Sequence, residues 1–135
     1  MNSSNEMSAK YVLVIDDNPL NVDVLVTLLE HLGIVAYTLE SPRLMNATIQ
    51  AMPAVDLVFL DIEFPDADGF EILKQIKRLP ATFGTPVIAY SVHTSEIDRA
   101  RRAGFYSFLG KPLRMSHFPQ QIQHILNGIP VWDAG

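Results

Sequence analysis

Short apolar runs alternate with longer stretches of helical period five times along this chain. The runs are YVLVI (11–15), IVAYTL (34–39), DLVFL (56–60), PVIAY (86–90) and FYSFL (105–109). Val12 to Ile15 and Leu57 to Leu60 are continuously apolar rather than alternating, the pattern of strands buried on both faces. That pattern implies a parallel sheet covered by helices on both sides.

The intervening segments predict those helices. Asn18 is placed to cap and Pro19 to open the first; Leu25, Leu28, Leu29 and Leu32 repeat at helical spacing, and Gly33 ends it. Ser41-Pro42 starts a second helix running to about Ala51. Ile72, Leu73, Ile76 and Leu79 mark a third that ends near Pro80. A short fourth runs from Thr94 to Arg102 and closes at Gly104; a fifth spans about Ser116 to Asn127, with Phe118, Ile122, Ile125 and Leu126 facing inward. Five such units make a doubly wound, three-layer α/β domain of five parallel strands, flavodoxin-like, in the order 2-1-3-4-5. Ligands of such sheets bind beyond the carboxyl ends of the strands, where strand order reverses. Those ends carry Asp16-Asp17, Asp61, Ser91 and, just past the fifth run, Lys111.

Composition narrows the classes. The chain has 135 residues, enough for one domain with a full core, and 48% of them are hydrophobic. Residues 1–9 are polar and read as a disordered N-terminus, 10–128 as the domain, and 129–135 as a tail whose Ile129, Val131 and Trp132 fold back on it. No apolar run approaches the roughly 18 residues a membrane span requires, and no secretory leader is visible, so a cytoplasmic location is expected. The absence of cysteine removes thiolate metal sites and cysteine nucleophiles. With a net charge of −5 and a basic patch limited to Arg99, Arg101 and Arg102, direct nucleic-acid binding is not expected; the patch reads as a solvated helix face. His31, His93, His117 and His124 form no ligand spacing and read as surface or boundary residues.

Three aspartates from two strand ends converge in this arrangement. At an effective dielectric of about 20, each like-charge pair 4 Å apart costs on the order of 4 kcal/mol, so the cluster calls for a cation. Hard oxygen ligands with room for water suit Mg²⁺, and Lys111 adds a fixed positive charge.

VLVIDDNPLN, LDIEFPDADG, VIAYS and FLGKP, in that order on alternating units, resemble the response-regulator receiver domains of two-component signalling from about Lys10 to Asn127. The resemblance implies a stand-alone receiver whose phosphoacceptor is Asp61, charged by a sensor histidine kinase or a phosphotransfer protein. It makes Asp17 a direct and Asp16 a largely water-mediated Mg²⁺ ligand, with Asp61 and the Glu63 backbone carbonyl completing the set. Ser91 and Lys111 would meet phosphoryl oxygens, Pro112 would follow a cis peptide, and Ser91 with Phe108 would form the switch. The 94–127 face would receive a downstream protein or a second copy in a homodimer. Glu63 and Val92 depart from the usual pattern beside the site and, with His93 next to them, are expected to tune rates. Phe64, before Pro65, fills apolar space, and Asp66 with Asp68-Gly69 reads as a turn opening the third helix rather than a calcium loop. Such a protein is a signalling component rather than an enzyme, although it catalyses its own phosphoryl transfer and loss. The alternative is a phosphorylation-independent interaction module on the same scaffold.

Overall fold

The computed structural model describes residues 10–64 and 67–135; residues 1–9, Pro65 and Asp66, with the readings made of them, lie outside the described residues. Strand β1 (Tyr11–Ile15) leads through Asp16-Asp17 into helix α1 (Pro19–His31). Asn18 keeps extended backbone angles and its side chain accepts the Asn21 N–H, while Pro19 fills the first helical position, where an amide would lack a partner anyway. The helix ends at Leu32, and Gly33 follows at φ +77°. Strand β2 (Val35–Leu39) then pairs with β1.

The second helix differs from expectation. Ser41 caps a single 3₁₀ turn, Pro42–Leu44, before α2 (Met45–Ala51) begins, because Leu44 leaves helical angles at φ −99°, ψ 15°. Strand β3 (Leu57–Asp61), helix α3 (Gly69–Arg78), strand β4 (Val87–Ser91), helix α4 (Ile97–Ala103), strand β5 (Ser107–Gly110) and helix α5 (Phe118–Leu126) complete the alternation. Asp68 opens α3 by accepting the Phe70 N–H, as the turn reading expects. A 3₁₀ turn at Thr94–Glu96 precedes α4, and Gly104 closes that helix at φ +103°.

The strands run parallel in the order β2-β1-β3-β4-β5, as read from the sequence. A sixth strand, β6 (Trp132–Asp133), extends the sheet beyond β5, so the tail folds back as part of the sheet. Alternation divides the core in two. Leu13, Ile15, Val58, Leu60 and Ala89 pack against α2, α3 and α4; Val12, Val14, Leu57, Phe59 and Tyr90 pack against α1 and α5. At the close of β3, Gly69 lies so near Ile62 that a Cβ there would stand 2.6 Å from the Ile62 Cα. No helix among the described residues is long and apolar enough to cross a membrane.

Candidate functional site

Pairing register assembles the site. Ile15 lies beside Leu60, so Asp16 follows β1 next to Asp61 at the end of β3; Asp61 pairs with Tyr90, and Ser91 pairs with Gly110, the residue before Lys111. The Lys111 N–H donates to the Ser91 carbonyl at 2.9 Å, which ties the turn after β5 to the end of β4. The Lys111-Pro112 peptide is cis, as expected.

Asp16, Asp17 and Asp61 each present a carboxylate oxygen within 4.8 Å of the others. Asp16 is fully buried and Asp61 is 4% exposed, whereas Asp17 faces solvent. The buried Lys111 ammonium bridges two of them, 3.4 Å from Asp16 Oδ2 and 3.3 Å from Asp61 Oδ2. One ammonium against three carboxylates leaves an excess of negative charge. The donor set, three hard oxygens on one side of a crevice with one ligand open to water, fits a small divalent cation. Burial pushes the Asp61 carboxyl from 3.8 up to about 6; the Glu63 N–H (2.8 Å to Oδ1) and Lys111 pull it down, while Asp16 adds to the rise.

Asp16 is held at both oxygens: Oδ1 accepts the Asn18 N–H at 2.9 Å, and Oδ2 accepts the Tyr90 hydroxyl at 2.7 Å. Tyr90 was not among the residues singled out from the sequence. It is 1% exposed, and the Lys111 ammonium also sits 4.3 Å over its ring, so one side chain positions both a carboxylate and the cation facing it. Burial, then the Asp16 hydrogen bond, raises its phenol well above the ordinary value. The signal was available: a tyrosine inside a fully buried strand needs a partner for its hydroxyl.

On the other side of the crevice, buried Ser91 donates its hydroxyl to the Glu63 carboxylate and accepts the His93 N–H at 2.8 Å. The His93 Nε2 stands 3.9 Å from that same carboxylate. Glu63 therefore turns its side chain toward Ser91 and His93, and the metal-facing oxygens are those of the three aspartates. Val92 is 58% exposed and points its methyls outward. Phe108 is entirely buried in the α2-α3-α4 side of the core, behind the site rather than at it. The remaining histidines stay apart from the cluster. Two of the three arginines read as a solvated face are engaged: Arg99 lies 3.9 Å over the Phe70 ring and Arg101 4.4 Å over the Trp132 ring, because both aromatics reach the α4 surface.

A family model described as the response regulator receiver domain matches residues 12–123. Among curated proteins, the signal transduction histidine-protein kinase BarA of Escherichia coli K12 is 33% identical over 107 residues, covering 78% of this chain and 12% of BarA. Hybrid signal transduction histidine kinase L of Dictyostelium discoideum is 28% identical over 83% of this chain and 7% of its own length. An uncharacterized 14.6 kDa protein of Leptolyngbya boryana is 33% identical, with 76% of this chain and 79% of that protein covered. This chain thus spans a small part of the two kinases. Among solved structures, the receiver domain of the Pseudomonas aeruginosa sensor histidine kinase PA1611, with magnesium coordinated in its active-site cleft, superimposes with a TM-score of 0.78 at 21% identity, covering 90% of this chain and all of that one. The chemotaxis response regulator CheY4 of Vibrio cholerae does so with 0.77 at 22% identity, over 87% and 99%.

Proposed function

Because this chain belongs to the response regulator receiver domain family of two-component signalling, we propose that it accepts a phosphoryl group on Asp61 and signals through protein contact. The donor is a phosphohistidine on a sensor histidine kinase or phosphotransfer protein. The observation that carries the reading is the buried Asp61 carboxylate beside Asp16 and Asp17, bridged by Lys111, at the ends of adjacent strands. In the transfer, an Asp61 oxygen bonds to phosphorus as the phosphorus–nitrogen bond breaks, and the electron pair returns to the imidazole. Mg²⁺ bound by Asp16, Asp17 and Asp61 would neutralise charge on the acceptor and the incoming phosphoryl oxygens.

The other parts of the reaction fall to the chain's own groups. Lys111 holds a fixed ammonium where phosphoryl charge develops, and Asp16 and Tyr90 hold Lys111. Ser91 senses the new charge once its hydroxyl leaves Glu63, and Phe108, behind it in the core, adjusts with it. Val92 and His93, which follow Ser91, set how fast water removes the group, a role checked by following dephosphorylation in Val92→Ala. The signal leaves by residues 94–127, and the protein acts in the cytoplasm as a signalling component.

One contact favours the second reading, a phosphorylation-independent interaction module: the Glu63 carboxylate already takes the Ser91 hydroxyl. Intact-mass measurement after incubation with acetyl phosphate and Mg²⁺ separates the two. A receiver gains one phosphoryl mass, which Asp61→Asn and chelation of the metal both abolish. No adduct from acetyl phosphate or from a phosphorylated kinase sinks the leading reading and favours the module.

A further inference from the structure

Beyond α5 the chain turns back at Gly128 and lays residues 131–134 along the outer edge of β5. The Phe108 N–H donates to the Val131 carbonyl at 2.9 Å, and the Val131 N–H donates to the Ser107 hydroxyl at 2.9 Å, with Phe108 opposite Trp132 and Leu109 opposite Asp133. Each neighbouring element adds one contact. From α4, the Arg101 guanidinium covers the Trp132 ring. From the turn after β5, Arg114 donates to Asp133 Oδ1 at 2.8 Å, and from α5, Gln121 donates to Oδ2 at 2.8 Å. Burial would raise the Asp133 carboxyl, but the hydrogen bonds from Gly135 N–H, Arg114 and Gln121 outweigh it and hold it below the ordinary value. A Cβ on Gly110 would stand 3.0 Å from the Ala134 carbonyl group, so the β5 edge is bare where the segment passes.

These contacts describe a site for an extended peptide. An edge strand supplies main-chain donors and acceptors, a guanidinium platform takes an aromatic ring, and a cation with an amide takes the following carboxylate. The occupant is a short one: β6 is two residues long and its side chains are half-buried, with Trp132 and Val131 packed against the margins of the two core clusters and its remaining anchors polar.

We propose that the α4-β5-α5 face is a receptor for an extended segment carrying an aromatic residue followed by a carboxylate, that residues 131–134 occupy it in cis, and that a protein partner presenting the same chemistry takes the edge by displacing them. Tethering gives the cis segment a high effective concentration, so a partner competes only with a better or longer match. The inference does not depend on phosphorylation of Asp61, and its test uses no phosphodonor.

The test uses the full ¹⁵N-labelled chain and two variants, Asp133→Ala and Trp132→Ala, each first shown to melt near the wild type. Loss of the carboxylate or the ring frees the segment, and hydrogen exchange at the Phe108 amide quickens by about tenfold or more. Trp132, the only tryptophan, moves to longer-wavelength emission and is more readily quenched by iodide in Asp133→Ala. An acetylated IPVWDAG peptide at millimolar concentration then shifts the Phe108, Gly110, Arg114 and Gln121 resonances of Asp133→Ala, and shifts those of the wild type far less. The same peptide with asparagine for its aspartate loses the effect. Unchanged Phe108 exchange in both variants overturns the proposal. So does equal peptide response in wild type and Asp133→Ala, or no response in Asp133→Ala.

Discussion

Asp61→Asn removes a buried carboxyl whose proton affinity the fold raises. Folding lifts that carboxyl from 3.8 to about 6, chiefly through burial, so between these values the folded chain holds a proton that the unfolded chain has lost. Its contribution to stability is therefore full below about pH 3.8 and is lost as pH rises through about 6. Two units at 1.36 kcal/mol each make the loss about 3 kcal/mol. Little of this is screened, because Asp61 is only 4% exposed. Asparagine keeps the shape and can still accept the Glu63 N–H, but it does not titrate. Urea denaturation in EDTA across pH 4 to 7.5 is the assay. Asp133 and the other groups away from the crevice contribute alike to both curves, so the difference between the curves reports Asp61 together with the crevice groups it touches. The variant is expected to be nearly equal to the wild type at pH 4 and about 3 kcal/mol more stable at pH 7.5, a midpoint gap of about 1.5 M at an m-value of about 2 kcal/mol per M. Millimolar Mg²⁺ should narrow the gap by stabilising the wild type more. A difference that does not change with pH refutes the reasoning.

Tyr90→Phe deletes the 2.7 Å hydrogen bond to Asp16 while keeping the ring beneath Lys111. It should cost about 1.5–3 kcal/mol in denaturant unfolding, since a buried carboxylate loses a donor, and Tyr90→Leu should cost more. Equal stability of Tyr90→Phe and wild type would show that Asp16 does not need this hydroxyl. Gly69→Ala sets two effects against each other: alanine is the better helix former, by less than the interior figure of about 1 kcal/mol at this first helical position, but its Cβ would stand 2.6 Å from the Ile62 Cα. Overlap with backbone should win, with a net loss of about 1–3 kcal/mol by thermal or chemical unfolding; a stabilised variant would refute it.

The parallel sheet and the helices on both faces were legible because their signals are local, and the strand order followed from the fold class they imply. A continuously apolar run such as Leu57 to Leu60 has to be buried on both faces, and Asn18-Pro19 caps the first helix with its own atoms. Strand ends inherit their position from these elements, so Asp16, Asp17, Asp61, Ser91 and Lys111 were readable as one crevice before any distance was known. The 3₁₀ turn at Pro42–Leu44 was less visible, because a capping serine and a proline open either helix type.

The partners within the crevice were decided by tertiary structure. That Tyr90 meets Asp16 depends on the registers of β1, β3 and β4 together, across 74 residues of chain. Glu63 takes Ser91 because β3 and β4 pair side by side and bring together residues 28 apart in the chain, a contact no spacing in the sequence encodes. Strand β6 is too short to show a period of its own: Trp132 and Asp133 become a strand only because β5 offers an unpaired edge, and Arg101, Arg114 and Gln121 converge there from three different elements. Local patterns determine which segments are buried and where their ends lie. Which side chains then share a proton or a charge depends on groups distant in the chain, and only the packed fold brings those together.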